Sequence, residues 1–394
     1  MDLFYEPRLR DALFRAYFDA RKNKRNTINA LNFELDLEGN LRRLYEDIMY
    51  GTYTISPSIC FIVEKPVKRE IFAANFRDRV VHHYVINQLM DIFENQFIYD
   101  SYSCRAGKGN LFGILRLQKF IRSCTDNYRR DAYILKLDIR GFFMNIDKRH
   151  LCDRIMNLVL RKYDGWDREI LLPLIRQIVM NDPTTGCIVK GHLSDWDGLP
   201  PSKSLFRTGD GCGLPIGNLT SQIFANYYLS DFDRHMKEDL KLKYYGRYVD
   251  DFFVVHRDME FLRSLIPHVR AYLKETIGAT LHPDKVYLQS CYKGVSFLGA
   301  YIAPFRTYPA RRTQGNFREA VNDIARRCPD LDDIVPKEEM KLAEARLNSY
   351  LGVCGHYRAF RLCDRMLAGI PERFVKRFEV DELYRKVLWS ELPQ

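Results

Sequence analysis

The sequence predicts an α+β fold in which short strands, one antiparallel hairpin among them, are set between helices. Three observations carry this: long stretches with apolar residues at helical spacing, a few β-branched and aromatic runs that end on acidic residues, and a glycine- and proline-rich stretch without apolar period. At 394 residues, 46% hydrophobic and 28% charged, the composition is that of a folded globular chain and excludes disordered and fibrous classes.

In chain order, residues 8–30 read as a basic helix, with Leu9, Leu13, Ala16, Tyr17 and Ala20 on one face and Arg21, Lys22, Lys24 and Arg25 at its end. That end is either a cationic arm or a solvated face. Leu41, Leu44, Ile48 and Met49 predict a second helix stopped by Gly51, and Tyr53 to Val63 a strand broken at Pro57. Helical spacing resumes at 78–99 and 111–123. The run Tyr133 to Leu137 ends on Asp138, as a buried strand does when it delivers a carboxylate to a sheet edge. Asp147 fits the N-cap of a helix reaching about residue 161. Residues 182–217, with seven glycines and four prolines, form a long ordered loop or small insertion, a length that in compact domains is usually functional. A helix follows from Leu219. The runs Tyr244 to Val249 and Phe252 to Val255 then flank Asp250 and Asp251, the pattern of a hairpin with two acids at its tip. Beyond residue 300 the chain turns helical and basic, with Arg311, Arg312, Arg318, Arg326 and Arg327.

A formal net charge of +10 favours a polyanionic partner such as nucleic acid, through counterion release. No apolar run approaches the roughly 18 residues of a membrane span, and Met1 to Glu6 lack a signal-peptide layout, so a cytoplasmic protein without membrane contact is expected. The ten cysteines contain no C-x-x-C pair and the nine histidines no metal-ligand spacing, which predicts reduced, packed thiols. His82, His83 and His256 read as helix surface and strand end. Gly107-Lys108-Gly109 lacks the Ser/Thr and upstream glycine of a phosphate-binding P-loop.

The chemistry lies with the acids. Asp138 on one strand and Asp250 and Asp251 on another are the ligands that two-metal phosphoryl transfer requires, since shared carboxylates can hold two cations about 3.5–4 Å apart. Asp-Asp at a hairpin tip also simply makes a good turn. The apolar flanks favour the metal, because three acids beside them would repel one another unless a cation lay among them.

Tyr248-Val249-Asp250-Asp251 resembles the Y-x-D-D motif of reverse transcriptases, and Lys136 to Phe143 resembles their first carboxylate motif. Lys68 to Ile71 with Arg77 to Val81 is similar to the fingers segment that holds the triphosphate, and Ser101 to Gly109 to the next family block. Lys285 sits at the family's motif lysine, and Phe297-Leu298-Gly299 resembles its primer-grip turn. The resemblance spans roughly residues 40–360. In Gly213 to Gln222, Ile216 stands where most members have Gln and Gln222 where they have Pro. This departure, with the block Ser194 to Pro200, resembles the reverse transcriptases of diversity-generating retroelements rather than retron, group II intron or phage-defence types.

The resemblance implies a right-hand polymerase: a basic helical extension over 1–40, fingers with part of the palm over 41–130, palm over 131–305, and a helical thumb over 306–394. It implies catalysis by Asp138, Asp250 and Asp251, with two Mg²⁺ ions, or Mn²⁺ in their place, held by Asp138, Ile139, Asp250 and Asp251. Lys68, Arg69, Phe143, Ile216, Gly217 and Lys285 would bind the nucleotide. Arg69 suits a triphosphate by its bidentate fork and Lys68 as a point charge. Phe143 would exclude a ribose 2′-hydroxyl by volume, although Phe142 and Phe143 also suit a core. Gly217 would let backbone approach the nucleotide. Ile216 offers bulk but no hydrogen bond, which predicts loose selection, or else it packs in the core. Partners implied are template RNA, a primer/cDNA duplex, deoxynucleoside triphosphates and a small accessory protein, in a bacterial or phage-encoded setting. A polymerase-like protein that only binds RNA is the rival class.

Overall fold

The computed structural model describes residues 6–22, 24–64, 67–327, 337–357, 359–370, 378–381 and 386–389. The first five residues of the stretch read for a signal peptide, and Cys328, lie outside them. The chain divides into two compact units: Met1–Gly109 with Leu135–Val254 and Glu260–Tyr287, and Asn110–Ile134 with Val255–Met259 and Leu288–Gln394. This is a division by compactness and is distinct from the expected division into extension, fingers, palm and thumb at residues 40, 130 and 305.

In the first unit, helix α1 (Pro7–Arg21) starts with proline at its first turn, where no amide hydrogen is needed, and Glu6 accepts from the Arg8 amide. Its buried face is the predicted one, Leu9, Leu13, Ala16, Tyr17 and Ala20. The helix does not run to residue 30. It stops at Lys22 and restarts as α2 (Ile28–Glu34), because the polar stretch between offers no apolar residue to hold a continuous helix. Helix α3 (Leu37–Met49) follows, capped by Asp36.

Only Ile59–Val63 of the predicted 53–63 strand forms β1. Tyr53 instead inserts its ring and donates its hydroxyl to buried Asp78 at 2.8 Å, and Asp78 also accepts from the Ser56 amide at 2.9 Å. Strand β2 (Arg69–Ala73) pairs antiparallel with β1, and α4 (Phe76–Glu94) follows, capped by Asn75. His82 on α4 is buried rather than on the surface. Its Nδ1 meets the Thr220 hydroxyl at 3.3 Å, and burial pushes the imidazole down to about 3. A polar residue on the inner face of an otherwise apolar helix is legible only once α4 is seen to be covered.

Strand β3 (Tyr133–Asp138) leads into a 3₁₀ turn at Phe142–Asn145 and then α5 (Lys148–Lys162), capped as expected by Asp147, which accepts from the His150 amide at 2.8 Å. After α6 (Arg168–Met180), the 182–217 loop is ordered by short 3₁₀ turns, and its two-residue strand β4 (Ile188–Val189) pairs parallel with β1. Helix α7 (Leu219–Tyr228) is buried on nearly every side. Strands β5 (Tyr245–Tyr248) and β6 (Asp251–His256) form the predicted hairpin, Tyr248 opposite Asp251, and β6 lies between β5 and β3. Helix α8 (Met259–Ile277) covers the sheet with Leu262, Leu265, Val269 and Leu273 buried.

In the second unit the chain is not yet helical at residue 300. Val295–Phe297, Ala300–Ala303 and Arg306–Pro309 form an antiparallel sheet whose first turn, Leu298 and Gly299, has positive φ at both residues, as two-residue hairpins demand. The helices Arg311–Arg327, Lys337–Gly355 and Phe360–Leu367 then enclose a core that includes Phe317, Val321, Met340, Leu347, Leu351 and Met366. No described cysteine is in a disulfide, and no described helix is long and apolar enough to cross a membrane.

Candidate active site

Strand β3 delivers Asp138 to the end of the sheet, and Lys136, two residues earlier, shares its face. The Ile139 amide donates to the Asp250 carbonyl at 3.1 Å, so the first acidic segment is stitched to the hairpin tip. On its other side the Arg140 amide donates to Thr280 and the His282 amide to the Asp138 carbonyl, both at 2.8 Å, which brings in Lys285. Its ammonium contacts both oxygens of Asp138, at 2.9 and 2.8 Å, and Lys136 meets Asp251 Oδ2 at 3.0 Å. The structure thus unites Asp138, Ile139, Asp250, Asp251 and Lys285.

The cluster is short of positive charge. Burial pushes the Asp250 carboxyl up to about 6, with Asp138 and Asp251 adding to the rise. Burial does the same to Asp251, also to about 6, although Lys136 opposes it. Asp251 Oδ1 is buried without a hydrogen-bond partner. Carboxylate oxygens, one of them orphaned, are hard donors suited to a divalent cation, so the residues fit such an ion. Among the described residues, no three His, Cys, Asp or Glu side chains already converge as a metal cage. Two lysines hold two of the three acids instead.

The hairpin tip is under strain and is held from beneath. Val249, β-branched, has φ of +55°, a conformation costing about 1–3 kcal/mol that persists only where surroundings enforce it. The enforcing group is Arg247, fully buried, whose guanidinium donates to the Val249 carbonyl at 2.8 Å and to the Asn226 carbonyl at 3.2 Å. Arg247 is paired with Asp233, also fully buried, through Nε at 2.7 Å and Nη2 at 2.5 Å, and the Tyr245 hydroxyl donates to the same carboxylate at 2.6 Å. The Ser101 to Arg105 block lies along this strand, with the Tyr102 amide donating to the Arg247 carbonyl at 3.0 Å. Gly246 makes room for it, since a Cβ there would fall 2.2 Å from the Tyr102 hydroxyl oxygen. Sequence reasoning missed Arg247 and Asp233. The available signal was an arginine inside the apolar run Tyr244 to Val249, which must find a buried partner.

The nucleotide-binding candidates gather around β2. Arg69 is exposed there. The Tyr248 phenol is raised by burial and by Cys104 and lowered by Arg69, which puts Arg69 within electrostatic reach of the hairpin. Lys68 is turned to its own chain, pairing with Glu64 at 3.0 Å and donating to the Asp197 carbonyl at 2.8 Å. Phe142 is core, whereas Phe143 is half-buried and packs with Ile216, Trp196 and Cys187 on a cluster of Cys60, Phe72, Met144 and Leu205. The Ile216 carbonyl accepts from the Phe72 amide at 2.9 Å, and the Leu214 amide donates to Phe143 at 2.8 Å. Gly217 is exposed with φ of +126°, and a Cβ would lie 2.9 Å from Ile71 Cγ2 and 3.3 Å from the Phe72 carbonyl oxygen. Strand β2 and the positive φ thus favour glycine here, in addition to the nucleotide approach read from the sequence.

Acids carried to one sheet edge by a strand and a strained hairpin, among helices, define a polymerase-type palm, the class of the nucleotidyltransferases. The family model for reverse transcriptase (RNA-dependent DNA polymerase) matches residues 65–302, more than half of the chain and every candidate site residue. The chain belongs to the reverse transcriptase family, with its right-hand polymerase fold. It is also similar to the COX1/OXI3 intron 2 protein of Saccharomyces cerevisiae, at 24% identity over 335 residues, covering 74% of this chain and 38% of that protein. The chain thus spans well under half the length of this relative. Among solved structures it is similar to telomerase from Candida albicans in complex with a fragment of telomeric RNA (TM-score 0.44, 11% identity, 85% of this chain and 64% of that one). Apo telomerase from Candida tropicalis is similar at TM-score 0.46 and 10% identity, over 81% and 58% of the two chains.

Proposed function

We propose that this protein is an RNA-directed DNA polymerase that extends a primer 3′-hydroxyl on an RNA template, with Asp138, Asp250 and Asp251 as its catalytic carboxylates. The observation that carries this is the orphaned, buried oxygen of Asp251 beside two further carboxylates at the sheet edge. Asp138, Ile139, Asp250 and Asp251 would hold two Mg²⁺ ions, with Mn²⁺ as a substitute. Bound there, the ions supply Lewis acidity to the attacking hydroxyl and neutralise charge on the departing pyrophosphate.

The chain's own residues do the rest. Arg69, exposed at the start of β2, offers a bidentate fork to a triphosphate, and Lys68 adds charge once released from Glu64. Phe143 excludes a 2′-hydroxyl by volume, and Ile216 and Gly217 line the base side. Lys285, already on Asp138, can move to the leaving pyrophosphate when metal takes the carboxylate. Incorporation of deoxynucleotides on an RNA template with Mg²⁺ should fall by about a thousandfold or more in Asp250→Asn. Equal activity in variant and wild type contradicts the assignment, and an inert wild type that still binds RNA favours a binding protein.

The finer reading is a diversity-generating retroelement enzyme copying a template-repeat RNA with errors at adenines. It would work with a small accessory protein in the cytoplasm of a bacterium or from a phage genome. Ile216 and Gln222 support it. Ile216→Gln should lower misincorporation opposite template adenine severalfold, read by sequencing the cDNA; an unchanged spectrum rejects it. The second reading, an intron-encoded enzyme, draws on the similarity to the yeast COX1/OXI3 intron 2 protein. An adenine-neutral error spectrum in the wild type would favour it.

A further inference from the structure

The 193–208 segment of the long loop, which the mechanism leaves unused, is tied to several of the nucleotide-binding candidates. Glu70, on β2 between Arg69 and Ile71, is buried, and no cation among the described residues pairs with it. Its carboxylate accepts from Trp196 Nε1 at 2.7 Å, from the Ser204 hydroxyl at 2.8 Å and from the Leu205 amide. All three donors belong to the 182–217 loop. Trp196 and Leu205 then enter the cluster on which Phe143 and Ile216 pack, and Phe206 stacks obliquely on Phe72 with centroids 5.3 Å apart. The Asp197 carbonyl takes the Lys68 ammonium. The Ser202 carbonyl lies so close to Gly141 that a Cβ there would come within 2.9 Å of it.

A solvated loop needs no buried carboxylate to hold it. Burying one is costly, and three converging donors offset that cost only in one arrangement of the loop. The arrangement puts Leu205 in the cluster on which Trp196, Phe143 and Ile216 all pack. We propose that Glu70 is a positioning residue which clamps residues 193–208 as the rear wall of the nucleotide pocket, and that this clamp sets discrimination between deoxyribose and ribose through Phe143. The proposal rests on the polymerase reading. The wall holds Phe143 from behind, so that a 2′-hydroxyl cannot push the ring aside.

The full chain is tested by single-nucleotide extension on an RNA template, with deoxy- and ribonucleoside triphosphates of the same base. Trp196→Phe keeps a ring in the cluster and removes the N–H, and Glu70→Gln keeps the shape and mismatches the donors. Leu35→Ala, at an exposed position outside the loop, is the control. The ratio of kcat/KM for deoxy- over ribonucleotide should fall about tenfold in Trp196→Phe and Glu70→Gln, in keeping with loss of a charge-assisted hydrogen bond. Phe143→Ala marks the full loss of the gate, and the control should match wild type. A ratio unchanged in both clamp variants, whatever happens to kcat or Tm, makes the clamp merely structural and overturns the proposal. If Glu70→Gln fails to fold, Trp196→Phe decides alone. Should the wild type polymerise nothing, the polymerase reading fails separately. Equilibrium binding of the two triphosphates then decides: a deoxy preference reduced in Trp196→Phe supports the clamp, and no wild-type preference, or one the variant keeps, overturns it.

Discussion

Two carboxylates beside the same hairpin, Asp233 fully buried and Asp251 half-buried with one buried oxygen, are treated in opposite ways. Asp233 receives two guanidinium nitrogens from Arg247 and the Tyr245 hydroxyl, whereas Asp251 has Lys136 on one oxygen and nothing on the other. Glu70, with three donors, belongs with Asp233. The fold is thus able to satisfy a buried acid and does so where the acid holds structure. It leaves the shortfall at the edge where Asp138, Asp250 and Asp251 meet, which is where an external cation would act.

Breaking the satisfied pair should have the largest effect on stability. Arg247→Met leaves Asp233 buried without its cation and releases the Val249 carbonyl, so a loss of about 3–5 kcal/mol is expected in denaturant unfolding. A loss below about 1 kcal/mol would mean that the pair supports nothing. Lys136→Met sharpens the contrast from the other side. Metal-free protein should lose roughly 1 kcal/mol, because a partly exposed pair contributes little and the acid it abandons can take up a proton.

The pH dependence has a definite sign. An acid whose folded pKa is raised from 3.8 to about 6 binds protons more readily when folded, so metal-free stability falls as pH rises from about 4 to 6 and levels off above. His82 acts in the opposite sense. Pushed from 6.5 down to about 3, it stays neutral when folded, and its stabilisation is lost as pH falls below 6.5. Comparing Asp251→Asn with wild type cancels the His82 contribution. The variant should gain about 1–2 kcal/mol at neutral pH and nothing near pH 4; a gain that is flat with pH would contradict the charge shortfall.

How much of this was legible beforehand depends on the distance over which the signal acts. The strand ending on Asp138, the hairpin around Asp250 and Asp251 and the Asp147 cap are local patterns, and each is present. The single helix over 8–30 breaks at a polar stretch, the strand over 53–58 gives way to a tertiary anchor, the Tyr53 to Asp78 hydrogen bond, and the turn to helix comes after residue 310 rather than 300. In the candidate site, the acids and the strands that carry them were readable, but their supports were not. Arg247 holds Val249 and Glu70 holds the 193–208 segment across long stretches of chain, and no short motif encodes either pairing. Gly217 shows the same limit: the crowding of a side chain there against Ile71 and Phe72 in strand β2 could not be read from its own segment.

The claim that the acidic edge awaits a divalent cation is tested most directly by thermal unfolding of wild type and Asp251→Asn at neutral pH, with and without Mg²⁺. The expected result is a wild-type Tm that rises with Mg²⁺ and a variant Tm that starts higher and responds weakly or not at all. A wild-type Tm indifferent to Mg²⁺, together with an Asp251→Asn variant less stable than wild type, would contradict the account.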